Sequence, residues 1–194
     1  MSDKLIASDE EFEDKNILKS IENIEKQMGI LYLVDCSGSM DNFVDGKHLW
    51  EHARDALKKC GAENIICFGE KDGKHAWWGS IEDIQPTGST PMEDAFILTK
   101  QSSYKYDKVI LISDGEPNYK GAVKEELRDF KYKVDTIYIG PNWGGGEDFL
   151  KEVAAMTGGT HATIAQASKF GGLLEQHITL LIGSAAGNDG TINL

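Results

Sequence analysis

The spacing of apolar residues changes at Gly29. Ahead of it, Phe12, Ile17, Leu18, Ile21, Ile24 and Met28 recur at helical intervals behind Ser8-Asp9-Glu10-Glu11, which has capping-box spacing. The pattern predicts an amphipathic helix that ends near Gly29 and packs on the domain or docks to a partner helix. From Ile30 onward, short apolar runs alternate with stretches of helical period. Strands are predicted at 30–35, 64–69, 108–113, 134–139 and about 161–164. Helices are predicted at 47–60, with Leu49, Ala53, Ala56 and Leu57 on one stripe, and at 91–102, 120–130, 147–157 and 167–182. His75-Ala76-Trp77-Trp78, entered by a brief turn at Gly73, reads as a hairpin edge strand on which only one Trp can face inward.

Alternating strands and helices imply an α/β fold: a doubly wound, mainly parallel sheet with one short antiparallel edge strand and helices on both faces. The divisions expected are an acidic N-terminal segment at 1–29, one domain at 30–182 and a flexible tail at 183–194. In such sheets, ligands bind at the carboxyl ends of the strands, near the point where strand order reverses.

Composition narrows the function. A chain of 194 residues with 40% apolar content is long enough to bury a sizeable core. The 32 acidic against 20 basic residues, a formal charge of -12, argue against nucleic acid and favour cations or basic partners. Cys36, Cys60 and Cys67 show no metal-ligand spacing and cannot all pair, which suggests a reducing compartment. The N-terminus lacks a charged-then-apolar leader and no run reaches the roughly 18 apolar residues of a membrane span, so a cytoplasmic protein without membrane attachment is expected.

The chemistry sits at strand ends. Asp35-Cys36-Ser37-Gly38-Ser39 follows the run Ile30–Val34, and if the extended backbone persists, residues 35, 37 and 39 lean the same way. One carboxylate and two hydroxyls suit a small hard cation; the same residues also describe an Asp-Ser-Gly turn. Val109–Ser113 delivers Asp114-Gly115-Glu116, placing Asp114 opposite Asp35. Pro86-Thr87-Gly88-Ser89-Thr90-Pro91 opens a helix, with Thr90 expected as N-cap and Pro91 as first helical residue.

Asp35-x-Ser37-x-Ser39, Thr90 in a Gly-x-Thr loop and Asp114-Gly115 together resemble the von Willebrand factor A-type family from about Ile30 to about Ile182. The resemblance implies a metal-ion-dependent adhesion site in which Ser37 and Ser39 bind Mg²⁺ (or Mn²⁺) directly and Asp35 acts mainly through water. Thr90 and Asp114 then alternate between direct and water-mediated contact. It also implies a partner protein that presents an Asp or Glu to the metal, and a setting beside an ATPase or in a stress response. Few anionic ligands leave such a cation electron-poor, which independently favours capture of a partner's carboxylate.

Two rival functions use the same residues. A Mg²⁺-dependent hydrolase or phosphotransferase would activate water or clamp phosphate, but Ser37 stands where an aspartyl-phosphate mechanism prefers a second carboxylate, and no Lys or Arg adjoins the motifs. No catalytic residue is therefore assigned. A structural component whose metal only braces the loops is the other rival. Asp41, Asn42, Asp45, Glu116 and Asn118 read as solvated loop residues or as a rim that selects a partner. His48 and His52, at i, i+4 without the HExxH pattern, read as a helix face rather than a zinc site. Among Trp50, Trp77, Trp78 and Trp143, the last occupies a glycine-rich loop and is the best candidate for an interaction surface.

Overall fold

The computed structural model describes residues 29–140, 145–164 and 170–186. The expected N-terminal helix, Trp143 and the last part of the expected tail lie outside these residues. Eight strands are described: β1 (Ile30–Asp35), β2 (Phe43–Val44), β3 (Lys47–His48), β4 (Ile65–Lys71), β5 (Lys74–Gly79), β6 (Lys108–Ser113), β7 (Val134–Tyr138) and β8 (His161–Thr163). The helices are α1 (Leu49–Lys59), α2 (Met92–Gln101), α3 (Lys120–Leu127), α4 (Gly146–Thr157) and α5 (Phe170–Ala186).

Six strands form one sheet in the order β5-β4-β1-β6-β7-β8, parallel except for the β4–β5 hairpin at one edge. Chain order turns back between β1 and β6, so a crevice opens at their carboxyl ends. Alternate residues of the central strands serve opposite faces, which is why β1, β6 and the first part of β4 are largely apolar. Tyr32, Val34, Ile110, Ile112 and Ile137 pack with Leu49, Ala53 and Leu57 of α1 and with Ile178 of α5. Leu31, Leu33, Ile66, Val109 and Leu111 pack with Phe96 of α2, Val123 of α3 and Leu150 of α4. Burying each Val, Leu, Ile or Phe among these contributes about 1.5–3 kcal/mol. This two-faced core is what fixes the heights of the strand ends.

The hairpin edge is as expected, with Trp77 8% exposed and Trp78 45% exposed. Three local features differ from expectation. A second antiparallel pair, β2–β3, occupies 43–48 and delays α1 to Leu49. Pro91, rather than Thr90, is the N-cap of α2, and no side chain caps that helix. Helix α5 continues to Ala186, past the expected end at 182.

Candidate metal centre

Asp35 ends β1 and is 0% exposed. Its Oδ1 accepts the Ser37 N–H at 2.7 Å, closing a turn on the residue two positions on. Its Oδ2 accepts the Ser113 hydroxyl at 2.5 Å, across the crevice from the last residue of β6. Both carboxylate oxygens are thus held by the protein. A 3₁₀ turn over Gly38–Asp41 follows, presenting Ser39.

Ser37 and Ser39 hydroxyl oxygens lie 3.0 Å apart, and the Ser39 hydroxyl donates to Asp114 Oδ1 at 2.9 Å. Four of the five residues singled out in the sequence, Asp35, Ser37, Ser39 and Asp114, are therefore joined in one hydrogen-bonded cluster. Thr90 stands in the adjoining loop, outside that cluster. The loop meets the first motif through Gly38 N–H donating to Gly88 C=O at 2.8 Å. Gly88 has φ +56°, and a Cβ there would fall 2.5 Å from the Glu70 carboxylate, so the turn requires glycine. Behind it, the Thr87 hydroxyl donates to Cys36 C=O at 3.0 Å.

Two residues that matter here were not singled out for it in the sequence. Ser113 holds Asp35, and its only signal is a hydroxyl closing an otherwise apolar strand. Asn118, read as a solvated loop or rim residue, clasps Thr90: its side-chain oxygen accepts the Thr90 N–H at 3.1 Å, and its own N–H donates to Thr90 C=O at 3.0 Å. That clasp ties the Thr90 backbone to the loop after β6 and leaves Pro91 to begin the helix. His48 and His52 are not convergent ligands: His48 Nδ1 donates to Asp41 C=O at 2.5 Å and His52 Nε2 to Val44 C=O at 2.8 Å.

Charge at the crevice is unbalanced. Burial, and then the nearby Asp114 carboxylate, push Asp35 up to about 7 against the opposing hydrogen bonds from Ser113 and Ser37. Burial also pushes Asp114 upward, opposed by hydrogen bonds from Ser39 and Asn42. Neither carboxylate has an ion-pair partner among the described residues. Nor do those residues bring three His, Cys, Asp or Glu side chains together as a metal cluster. The donors are two carboxylates and a set of hydroxyls.

This set fits a small hard cation. In an octahedron with metal–oxygen distances of about 2.0–2.1 Å, neighbouring oxygens are separated by about 2.9 Å. The Ser37–Ser39 and Ser39–Asp114 separations, 3.0 and 2.9 Å, are hydrogen-bond lengths that are also compatible with that edge. A positive charge between them would also offset the burial of two carboxylates.

The fold and crevice define a class: a doubly wound α/β domain with an oxygen-lined site at its switch point. It is the fold of von Willebrand factor type A domains. The von Willebrand factor type A protein from Catenulispora acidiphila superposes with a TM-score of 0.61 at 16% identity, over 81% of this chain and 42% of that protein. The ArnB paralog VWA2 from Sulfolobus acidocaldarius gives 0.50 at 21% identity, over 76% of this chain and 44% of that protein. The chain thus spans less than half the length of either. No protein-family model and no curated protein sequence matches it.

Proposed function

We propose that this chain is a Mg²⁺- or Mn²⁺-dependent protein-binding module that captures an Asp or Glu of a partner protein. The reading is carried by the Ser37–Ser39–Asp114 oxygen spacing at the switch point, beside two buried carboxylates with no counter-charge among the described residues. Ser37 and Ser39 would hold the cation directly. Asp35, both of whose oxygens already accept protein hydrogen bonds, would act through water and orient the turn. Thr90 and Asp114 would share the remaining contacts, one direct and one through water. A cation held in this way supplies an open coordination position for a partner's carboxylate.

The module is read as non-enzymatic, since position 37 is Ser and Lys120, the basic residue that follows the Asp114 segment, is engaged by Glu116 at 2.9 Å. The cytoplasmic, ATPase-linked or stress-response setting belongs to the same proposal. The full chain serves as bait in cell lysate with Mg²⁺, with chelator, and as Asp35→Ala. Capture that requires both Mg²⁺ and Asp35 supports the reading; equal capture in all three conditions sinks it. Phosphatase turnover abolished by Asp35→Ala would favour the hydrolase instead.

A further inference from the structure

The loop leaving the candidate site does something the site itself does not need. After the turn closed by Asn42 N–H on Ser39 C=O at 3.0 Å, the chain folds into the β2–β3 hairpin, with Phe43 paired to His48 and Val44 to Lys47. Asp45 and Gly46 at its tip both have positive φ, +48° and +83°, the conformation of a type I′ turn. Strands of two residues are too short to be stable alone. This pair is held from outside by the His48 and His52 hydrogen bonds to Asp41 and Val44, by Asn42 Nδ2 donating to Ser39 C=O at 2.8 Å, and by a 2.6 Å Lys47–Asp55 ion pair.

What the hairpin presents is aromatic. Phe43 is 65% exposed and stands edge-on to His48, with ring centroids 5.2 Å apart. His48 stacks on Trp50 at 6.4 Å, and the Arg54 guanidinium lies 4.6 Å over the Trp50 ring. The result is a partly exposed ladder, Phe43–His48–Trp50–Arg54, running from the residue after Asn42, which bonds Ser39, along the start of α1. Trp and Arg dominate the energetics of protein interfaces, and exposed aromatics held rigidly keep little conformational entropy to lose on binding. Near the crevice, Asp41, Glu70 and Glu116 are exposed acids, with Lys120 pairing to Glu116 at 2.9 Å.

We infer that the ladder is the second half of the docking surface, and that the occupant is a partner protein segment of defined chemistry. That segment carries an Asp or Glu for the cation, a bulky apolar side chain for Phe43, and Lys or Arg to face the acidic rim. Phe43 lies four positions after Ser39, which at full extension is about 14 Å. The partner's carboxylate and apolar side chain therefore lie within about four extended residues of each other. This rests on the cation-dependent capture proposed above.

The test is an array of short synthetic peptides, each with one central Asp and systematically varied flanks, probed with the full chain in Mg²⁺ and in chelator. The expected result is Mg²⁺-dependent binding that selects an aromatic or large aliphatic residue within four positions of the Asp, together with Lys or Arg. On the best peptide, Phe43→Ala should weaken binding roughly tenfold, with Mg²⁺ affinity and melting temperature unchanged; Arg54→Ala is the second variant. Mg²⁺-dependent binding with no apolar preference, or equal affinity for wild type and Phe43→Ala, overturns the ladder and leaves carboxylate capture standing. Binding unchanged in chelator and in Asp35→Ala, or no binding in Mg²⁺, removes both.

Discussion

Ser113 donates its hydroxyl to Asp35 Oδ2 at 2.5 Å, joining the ends of β1 and β6 across the switch point. Both residues are 0% exposed, so the bond is shielded from bulk solvent. Ser113→Ala leaves a buried carboxylate oxygen without its donor, and the expected cost is about 1–3 kcal/mol in urea unfolding of the metal-free protein. A loss below about 0.5 kcal/mol would mean that the Asp35 turn is held from elsewhere.

Asp35 itself should behave in opposite ways with and without cation. Burying its charge costs stability when nothing offsets it. Asp35→Asn should therefore leave the metal-free protein as stable as wild type or more so. The gain on adding Mg²⁺, about 2.7 kcal/mol at a hundredfold excess over Kd, should disappear in the variant. Parallel melting curves with Mg²⁺ and chelator measure both effects, and a retained Mg²⁺ shift would exclude Asp35 from cation binding.

Thr90 separates partner capture from cation binding. Its backbone is fixed by Asn118, so the side chain can be removed without releasing the loop. Thr90→Ala should weaken binding of a carboxylate-bearing partner more than it weakens Mg²⁺ binding, as measured by calorimetry for each. Equal losses would mean that the hydroxyl contributes the same contact in both states.

At the opposite ends of the strands, Lys108 and Asp135 form a 2.8 Å ion pair whose side chains are 14% and 4% exposed. Asp135 Oδ1 also accepts the Thr160 N–H at 2.6 Å and its hydroxyl at 2.8 Å. Burial pushes Asp135 upward, but Lys108 and these two bonds outweigh it, and the carboxyl is held below its ordinary 3.8. A carboxyl depressed on folding contributes stability that is present above its unfolded value and is lost as pH falls through the lower folded value. Asp135→Asn should cost about 3–5 kcal/mol at neutral pH and should flatten the decline in stability below pH about 4. Chemical unfolding at several pH values checks both.

The sequence by itself determined the main sheet and pointed to four residues that the structure joins in one hydrogen-bonded cluster. The 108–113 strand has the same bounds in the structure, because a run buried on both faces is apolar at every position and its ends show as polar residues. Asp35, Ser37, Ser39 and Asp114 were legible because strand ends in a doubly wound sheet converge whatever the loops do. Only the tertiary structure decided how they are held. Ser113 bonding to Asp35 and Asn118 clasping Thr90 join residues 78 and 28 positions apart, and no local period records such a contact. The β2–β3 hairpin escaped notice because two-residue strands have no periodicity, while its anchors are backbone carbonyls reached by His48 and His52. Residue types set which oxygens are available; packing of two helical layers on one sheet brings the strand ends together, and hydrogen bonds then hold those oxygens 2.9–3.0 Å apart.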